Sequence, residues 1–243
     1  MNSNLEFIEK KAICADIWQL HFKKPASFDY VSGQYIEMTI ASNHPDERGI
    51  KRWFTLSSSP TQPDIIITTR LVSPKHSVFK EDLFKLSSGE SVGVEGPDGK
   101  FVLPANDQKL LWIAGGIGVT PYISQLQYLL DNKQFERDIV LVLGLRSLDE
   151  DPCVEIVKKC LLVMPKFKII RVISENIPAN WTGPTGYITQ ELLTDSVEDI
   201  LDRQVYVSGP EPMVDAMKDT LLKTGLAETH IHQDWFAGYK DKY

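Results

Sequence analysis

The apolar periodicity of this chain changes once, near residue 105, and that change limits it to folds with a strand-built front half and a strand–helix–strand back half. Before the change, residues 16–22, 33–40 and 65–69 read as strands, and 92–103 as strand, Asp98-Gly99 turn and strand. One short helix is expected over 78–86. Many short strands separated by regular turns predict an antiparallel β-barrel. After a polar linker at 104–108, strands at 110–114, 138–144, 168–174, 204–208 and 231–234 alternate with helices at 121–130, 151–162 and 211–223. That alternation predicts an α/β domain with a parallel sheet covered on both faces. The expected domains are therefore 1–104 and 105–243.

A chain of 243 residues can bury two modest cores. Its formal charge of −7, with no basic stripe, excludes non-specific nucleic-acid binding as a function. The longest apolar runs, 110–114 and 139–143, are strand-length and far too short for a transmembrane segment. Residues 1–6 lack the basic and apolar regions of a signal peptide, so a cytoplasmic protein is expected. Cys14, Cys153 and Cys160 form no CxxC pair, which argues against a bound iron–sulfur cluster or structural zinc. Cys153 and Cys160 read as core residues of a helix. The five histidines are scattered, and no metal site is expected.

Two segments carry chemistry. In Gly115-Gly116-Ile117-Gly118-Val119-Thr120-Pro121, a buried strand turns into a helix. Thr120 suits the N-cap and Pro121 the first helical position, so free N–H groups and the positive dipole end would meet a phosphate. Glycines at 115, 116 and 118 would let it approach without a Cβ in the way. Counted from Gly116, the third glycine of a GxGxxG fingerprint is replaced by Pro121, so the segment is also readable as a plain strand–helix turn. The other segment is Arg52-Trp53-Phe54-Thr55-Leu56-Ser57-Ser58. A guanidinium matches a pyrophosphate, a phenyl ring can cover an isoalloxazine face, and a threonine hydroxyl can bond its N5/O4 edge. An edge strand with a solvated arginine and core aromatics fits the segment equally well.

Taken in order, the motifs resemble those of the ferredoxin–NADP reductase superfamily, in a two-domain form without an iron–sulfur domain. Its Arg-x-Tyr-Ser/Thr-x-x-Ser motif stands as Arg52, Phe54, Thr55 and Ser58, and its Gly-Pro-x-Gly-x-Phe turn as Gly96, Pro97, Gly99 and Phe101. The glycine turn, a Ser208-Gly209-Pro210-Glu211-Pro212-Met213 segment and the Asp234-Trp235-Phe236-Ala237-Gly238-Tyr239 ending complete the resemblance. It implies a flavin-binding barrel at 1–104 and an NAD(P)-binding α/β domain at 105–243. Arg52 would bind the FAD pyrophosphate, Phe54 stack on the flavin and Thr55 contact N5. Thr69, Arg70 and Leu71 would offer backbone groups to the ring's polar edge, and His76, Ser77 and Val78 would hold the pyrophosphate. Gly115, Gly116, Gly118, Thr120 and Pro121 would take the nucleotide phosphates. Gly209, Pro210 and Met213 would line the nicotinamide pocket, with Ser208 near C4 and Asp234 assisting charge or proton handling. Phe236 or Trp235 would cover the flavin's second face, a role for which Tyr243 competes.

The chain departs from the family at three places. Phe54 replaces the usual Tyr, Ser208 replaces a frequent Cys, and 73–76 lack the usual glycine before Ser77. FAD rather than FMN follows from the two-domain length. Arg146 stands where a 2′-phosphate would need positive charge, but Asp149, Glu150 and Asp151 follow it, and Glu175 stands where NADPH users have Arg; NADH is the expected donor over NADPH. The resemblance implies an NAD(P)H oxidoreductase that passes a hydride to flavin N5 and then electrons to a separate acceptor: a ferredoxin, an oxygenase component, a haem protein, a quinone or a small molecule. The alternatives are a non-catalytic flavin-carrying conduit in a larger complex, or a nucleotide-binding module without flavin.

Overall fold

A computed structural model describes residues 2–71, 77–105 and 107–236. By its contacts the chain forms two compact units. One runs to Leu103 and includes Thr120–Asp131; the other comprises Pro104–Val119 and the chain from Asn132 onward.

The first unit is an antiparallel sheet of six strands: β1 (Asn2–Cys14), β2 (Ile17–Lys23), β3 (Tyr35–Thr39), β4 (Lys51–Thr55), β5 (Asp64–Arg70) and β6 (Ser91–Asp98). They lie in the order β4-β3-β6-β1-β2-β5. β1 bridges two ladders, pairing Asn2 to Glu6 with β6 and Phe7 to Cys14 with β2. Alternation sends Leu5, Phe7, Leu20, Phe22, Ile36, Met38, Ile65 and Ile67 inward, all buried. Each contributes about 1.5–3 kcal/mol by leaving water. Past β4 the chain bends onto β5: Ser57 and Ser58 both send N–H groups to the Ile66 carbonyl, at 2.9 and 3.4 Å, and the Ile66 N–H donates to Ser58 Oγ at 2.9 Å. These bonds join the two outer strands and close the barrel. Helix α1 (Val78–Lys85) fills one end with Phe79 and Leu83, and α2 (Thr120–Asp131) packs Tyr122 against Phe101, ring centroids 5.7 Å apart.

The second unit is a five-stranded parallel sheet built from β7 (Leu110–Gly115), β8 (Ile139–Leu145), β9 (Phe167–Ile173), β10 (Gln204–Pro210) and β11 (Ile231–Phe236), in the order β11-β10-β7-β8-β9. Helices α3 (Val154–Val163), α4 (Gln190–Ser196) and α5 (Glu211–Lys223) belong to this unit. β7 is central and fully buried from Leu110 to Ala114. From β7 the chain winds outward through β8 to β9, then returns to the other side for β10. The strand order therefore reverses between β7 and β10, the place where open α/β sheets bind ligands at the carboxyl ends of their strands.

The antiparallel front and parallel back match the sequence expectation. Three local readings change, and two elements are new. The Asp98-Gly99 hairpin has no second strand: beyond β6 the Phe101 carbonyl accepts from Gln125 Nε2 at 2.9 Å instead of joining the sheet. Thr120 is not an N-cap, because a 3₁₀ turn over Gly116–Val119 winds straight into α2. α3 begins at Val154 rather than 151, since the Asp151 carboxylate takes the Cys153 N–H at 2.8 Å and Arg171 Nε at 2.6 Å. Strand β1 and helix α4 complete the set without having been anticipated; α4 buries only Leu193 and leaves little periodic signal.

Candidate functional site

On the barrel, β4 carries Arg52 and Phe54 toward the first turn of α1. Phe54 stacks on Phe79, with centroids 5.9 Å apart and planes 29° apart, and Arg52 Cζ lies 5.2 Å from the same Phe79 ring. Trp53 faces the opposite way, 61% exposed, its indole N–H donating to Glu37 Oε1 at 3.1 Å. Arg52 Nη1 donates to the carbonyls of Arg48 at 2.6 Å, Gly49 at 3.3 Å and Lys51 at 2.5 Å. Its Nη2 is buried without a hydrogen-bond partner and lies 3.8 Å from Asp46 Oδ1.

Ser77 is the N-cap of α1; its hydroxyl accepts from the Lys80 N–H at 3.2 Å, and the Val78 N–H donates to Asp46 Oδ2 at 3.0 Å. Arg48 Nη2 donates to the same oxygen at 2.9 Å. Burial alone would raise the Asp46 carboxyl, but the Val78 N–H and then Arg48 outweigh it and hold it below the ordinary carboxylate range. A guanidinium and a helix N-terminus thus already converge on one anion, the donor set that a pyrophosphate uses. Lys80 adds positive potential nearby. Burial first, then Arg70, pushes its ammonium down to about 8.

Several expected ligand contacts belong to the scaffold. Ser58 is fully buried, with its hydroxyl shared between Tyr30 OH at 2.8 Å and the Ile66 N–H, so it holds the barrel shut rather than meeting a ligand. Phe54 is a buried core aromatic with Phe79 on its ring, as the alternative reading of that segment had it. Thr55 ends β4 buried opposite Tyr35, and Thr69 is buried opposite Trp18. The Arg70 carbonyl accepts from Lys80 Nζ at 2.6 Å and the Leu71 N–H donates to the Asp16 carbonyl at 2.8 Å. Arg70 itself pairs with Asp16 at 3.3 Å. His76, Gly238, Tyr239 and Tyr243 lie outside the described residues, as does the side chain of Phe236. Sequence reasoning missed Asp46, Arg48, Phe79 and Lys80. Asp46-Glu47-Arg48-Gly49 announces a turn, but nothing in it announces the distant N–H that Asp46 takes.

In the second unit the glycines separate by cause. A Cβ on Gly118 would come 2.3 Å from the Ser208 carbonyl oxygen and 2.7 Å from Gly209 Cα, and one on Gly115 would come 2.2 Å from Met213 Sδ. Both are glycine because β10 and α5 press against them. Gly116 has φ +51 with open space where a Cβ would stand, so it alone offers the unobstructed approach expected of all three. The register puts Ser208 beside Ala114 on one side and Asp234 on the other. Gly115, Ser208, Gly209, Pro210, Met213 and Asp234 therefore gather at the reversal between β7 and β10. Ser208 Oγ is fully buried with no hydrogen-bond partner, an unmet group that a polar ligand edge would satisfy. Burial pushes the Asp234 carboxyl up to about 6. Arg146, after β8, is held by Glu150 through contacts of 2.9 and 3.2 Å. Thr120 and Pro121 are buried in α2, which clusters with the barrel.

Residues 4–103 match the family model of the oxidoreductase FAD-binding domain, and residues 112–219 that of the oxidoreductase NAD-binding domain. The chain belongs to the ferredoxin–NADP reductase superfamily. Its cofactors are FAD and a pyridine nucleotide. The superfamily fold is shared with Amycolatopsis cytochrome P450 reductase GcoB, at a TM-score of 0.82 and 20% identity over 97% of this chain and 70% of that one. Ferredoxin-NADP+ reductase from Plasmodium falciparum has a TM-score of 0.76 at 16% identity, covering 96% and 95% of the two chains. Among curated proteins, the glycine betaine monooxygenase reductase subunit of Chromohalobacter salexigens is 27% identical over 216 residues, covering 88% of this chain and 58% of that protein. The stachydrine N-demethylase reductase subunit Stc4 of Rhizobium meliloti is 27% identical over 244 residues, covering 96% and 66%. This chain thus spans 58–66% of the length of these relatives. Its residues fit the superfamily's cofactors. The unpartnered Arg52 Nη2 and the anion-bound α1 N-terminus suit the FAD pyrophosphate, and the open Gly116 and unmet Ser208 hydroxyl suit a nicotinamide nucleotide. Among the described residues, no helix is long and apolar enough to cross a membrane.

Proposed function

We propose that this chain is an NADH-fed flavin reductase that delivers electrons to a separate acceptor such as an oxygenase component, a ferredoxin, a haem protein or a quinone. The observation that carries this reading is the presence, in one chain, of an anion-gathering Arg52–α1 cluster and a glycine bend at a sheet reversal. The names of the relatives, reductase subunits of a monooxygenase and a demethylase, support the choice of acceptor class. The functional boundary falls at 104/105, in keeping with family matches that end at 103 and begin at 112.

In this reading Arg52 and the α1 N–H groups bind the pyrophosphate. The Gly116 bend and the first turn of α5 hold the nicotinamide nucleotide, with the Ser208 hydroxyl taking a hydrogen bond. When bound, FAD supplies the chemistry, accepting two electrons as a hydride from a reduced nicotinamide and releasing them singly. Asp234, whose carboxyl titrates at about 6, holds or releases a proton near neutrality. The donor is NADH because Glu150 already neutralises Arg146, and Glu175 places a second carboxylate on the neighbouring loop.

The test is rapid anaerobic mixing of the FAD-loaded chain with NADH and, separately, NADPH, following the loss of oxidised-flavin absorbance. Faster bleaching by NADH is expected. Faster bleaching by NADPH would overturn the choice of donor, and bleaching by neither would establish the electron-conduit alternative.

A further inference from the structure

We infer that Asp46 is an internal stand-in for the FAD pyrophosphate, a carboxylate that occupies the phosphate-binding donors of the flavin-free chain and must be displaced when FAD binds. The inference rests on the reading of Arg52 and α1 as the pyrophosphate site.

Asp46 lies between β3 and β4 at the first position of a turn closed by the Gly49 N–H on the Asp46 carbonyl at 2.9 Å, with Gly49 at φ +70. One oxygen serves that turn locally: Oδ1 accepts the Arg48 N–H at 3.0 Å. The other does something the turn does not require. Oδ2 reaches an N–H 32 residues away, that of Val78, and takes Arg48 Nη2 as well. Arg52 completes the set at a distance, 3.8 Å, that is an ion pair without a hydrogen bond, and its Nη2 stays unsatisfied. Three hydrogen bonds from Arg48 and Val78, with the Arg52 guanidinium beside them, converge on one carboxylate that leaves Arg52 Nη2 unsatisfied.

The surrounding charges explain why an anion is held there. Among the described residues, Arg48, Arg52 and Arg70 act on Lys80 as like charges while Asp16 opposes them, and Arg70 pairs with Asp16 at 3.3 Å. Without a ligand, Asp46 relieves that repulsion and satisfies the first N–H of α1. A pyrophosphate carries more charge and more acceptor oxygens and is the better match for the same donors. The two anions cannot share the donors, because like charges at contact repel. Asp46 and its turn therefore leave as FAD enters, and the flavin-free state is stabilised at the expense of affinity.

Asp46→Asn separates this role from turn formation, because asparagine keeps the side-chain acceptor the turn uses but lacks the charge. In the full-length chain stripped of FAD, titration by flavin-fluorescence quenching is expected to show FAD bound at least fivefold more tightly by Asp46→Asn than by wild type. The flavin-free variant should melt at lower temperature, while the two FAD-saturated proteins melt together. Asp46→Ser, whose hydroxyl also suits the first turn position, should behave likewise. Arg52→Ala is the control and should bind FAD tenfold or more weakly, the worth of a charged hydrogen bond. If Arg52→Ala weakens FAD while neither Asp46 variant tightens it, the stand-in role is overturned and the site remains. If Arg52→Ala binds FAD as wild type does, the placement of the pyrophosphate is overturned and the Asp46 inference with it.

Discussion

A half-buried carboxylate within β11 gives the clearest consequence at the scale of single residues. Burial raises the Asp234 carboxyl to about 6, whereas in the unfolded chain it titrates near its ordinary value of about 3.9. Between those values the folded chain binds more protons than the unfolded one. Stability is therefore fully present below about pH 4 and declines as pH rises through 6, by on the order of 2–3 kcal/mol. Asp234→Asn removes the penalty: its melting temperature should exceed that of wild type at pH 8, with the gain gone at pH 4. An equal difference at both pH values would show that burial of the charge is not the cause. In the proposed role the same variant should slow flavin reduction by NADH more than it alters FAD content. At this scale the sequence was legible where a residue's chemistry is local. Arg52 reads as an anion-seeking cation from its type and place on a strand, and it lies 3.8 Å from the Asp46 carboxylate. The partners of Ser58 and Phe54 are not legible, because a hydroxyl or ring looks the same in a string whatever it faces, here Tyr30 and Phe79.

The turn between β7 and α2 contains three glycines with two different reasons to be glycine, and mutation should separate them. Gly118→Ala would drive a Cβ into the Ser208 carbonyl, backbone against backbone, at 2.3 Å. Neither side can yield cheaply, so the expected cost is about 3 kcal/mol, the upper end for overpacking. Gly116→Ala meets open space and costs only the left-handed conformation, about 1 kcal/mol, while obstructing the nucleotide. Thermal or urea unfolding of the two variants checks the order; a larger loss for Gly116→Ala would refute the distinction. Elements themselves were largely legible, since strand alternation and helix periodicity are properties of neighbouring residues. The Glu211–Lys223 helix is expected and found with the same bounds. The hairpin expected after β6 fails for a reason outside its own sequence: Gln125, on α2, takes the carbonyl that a second strand would have paired.

For the whole molecule, ligands should leave footprints in hydrogen exchange. FAD at a hundred times its Kd adds about 2.7 kcal/mol to the folded state that binds it. Exchange should slow most at Val78 and the rest of the first turn of α1. NADH should slow it at Gly116–Val119 and in the first turn of α5. Protection of α5 by FAD and of α1 by NADH would reverse the assignments. The two-part organisation was legible because the change of periodicity is long-range enough to see and needs no knowledge of contacts. By itself, then, the sequence determined most of the elements, their order, the antiparallel-then-parallel character and the motif positions. All of these are written in spacing along the chain. The tertiary structure alone decided which groups are already spoken for: Asp46 on the Val78 N–H, Ser58 on Tyr30 and Ile66, Gly118 against Ser208. Such pairings join residues tens of positions apart, and a hydrogen bond or a close approach across that interval leaves no period or composition to read.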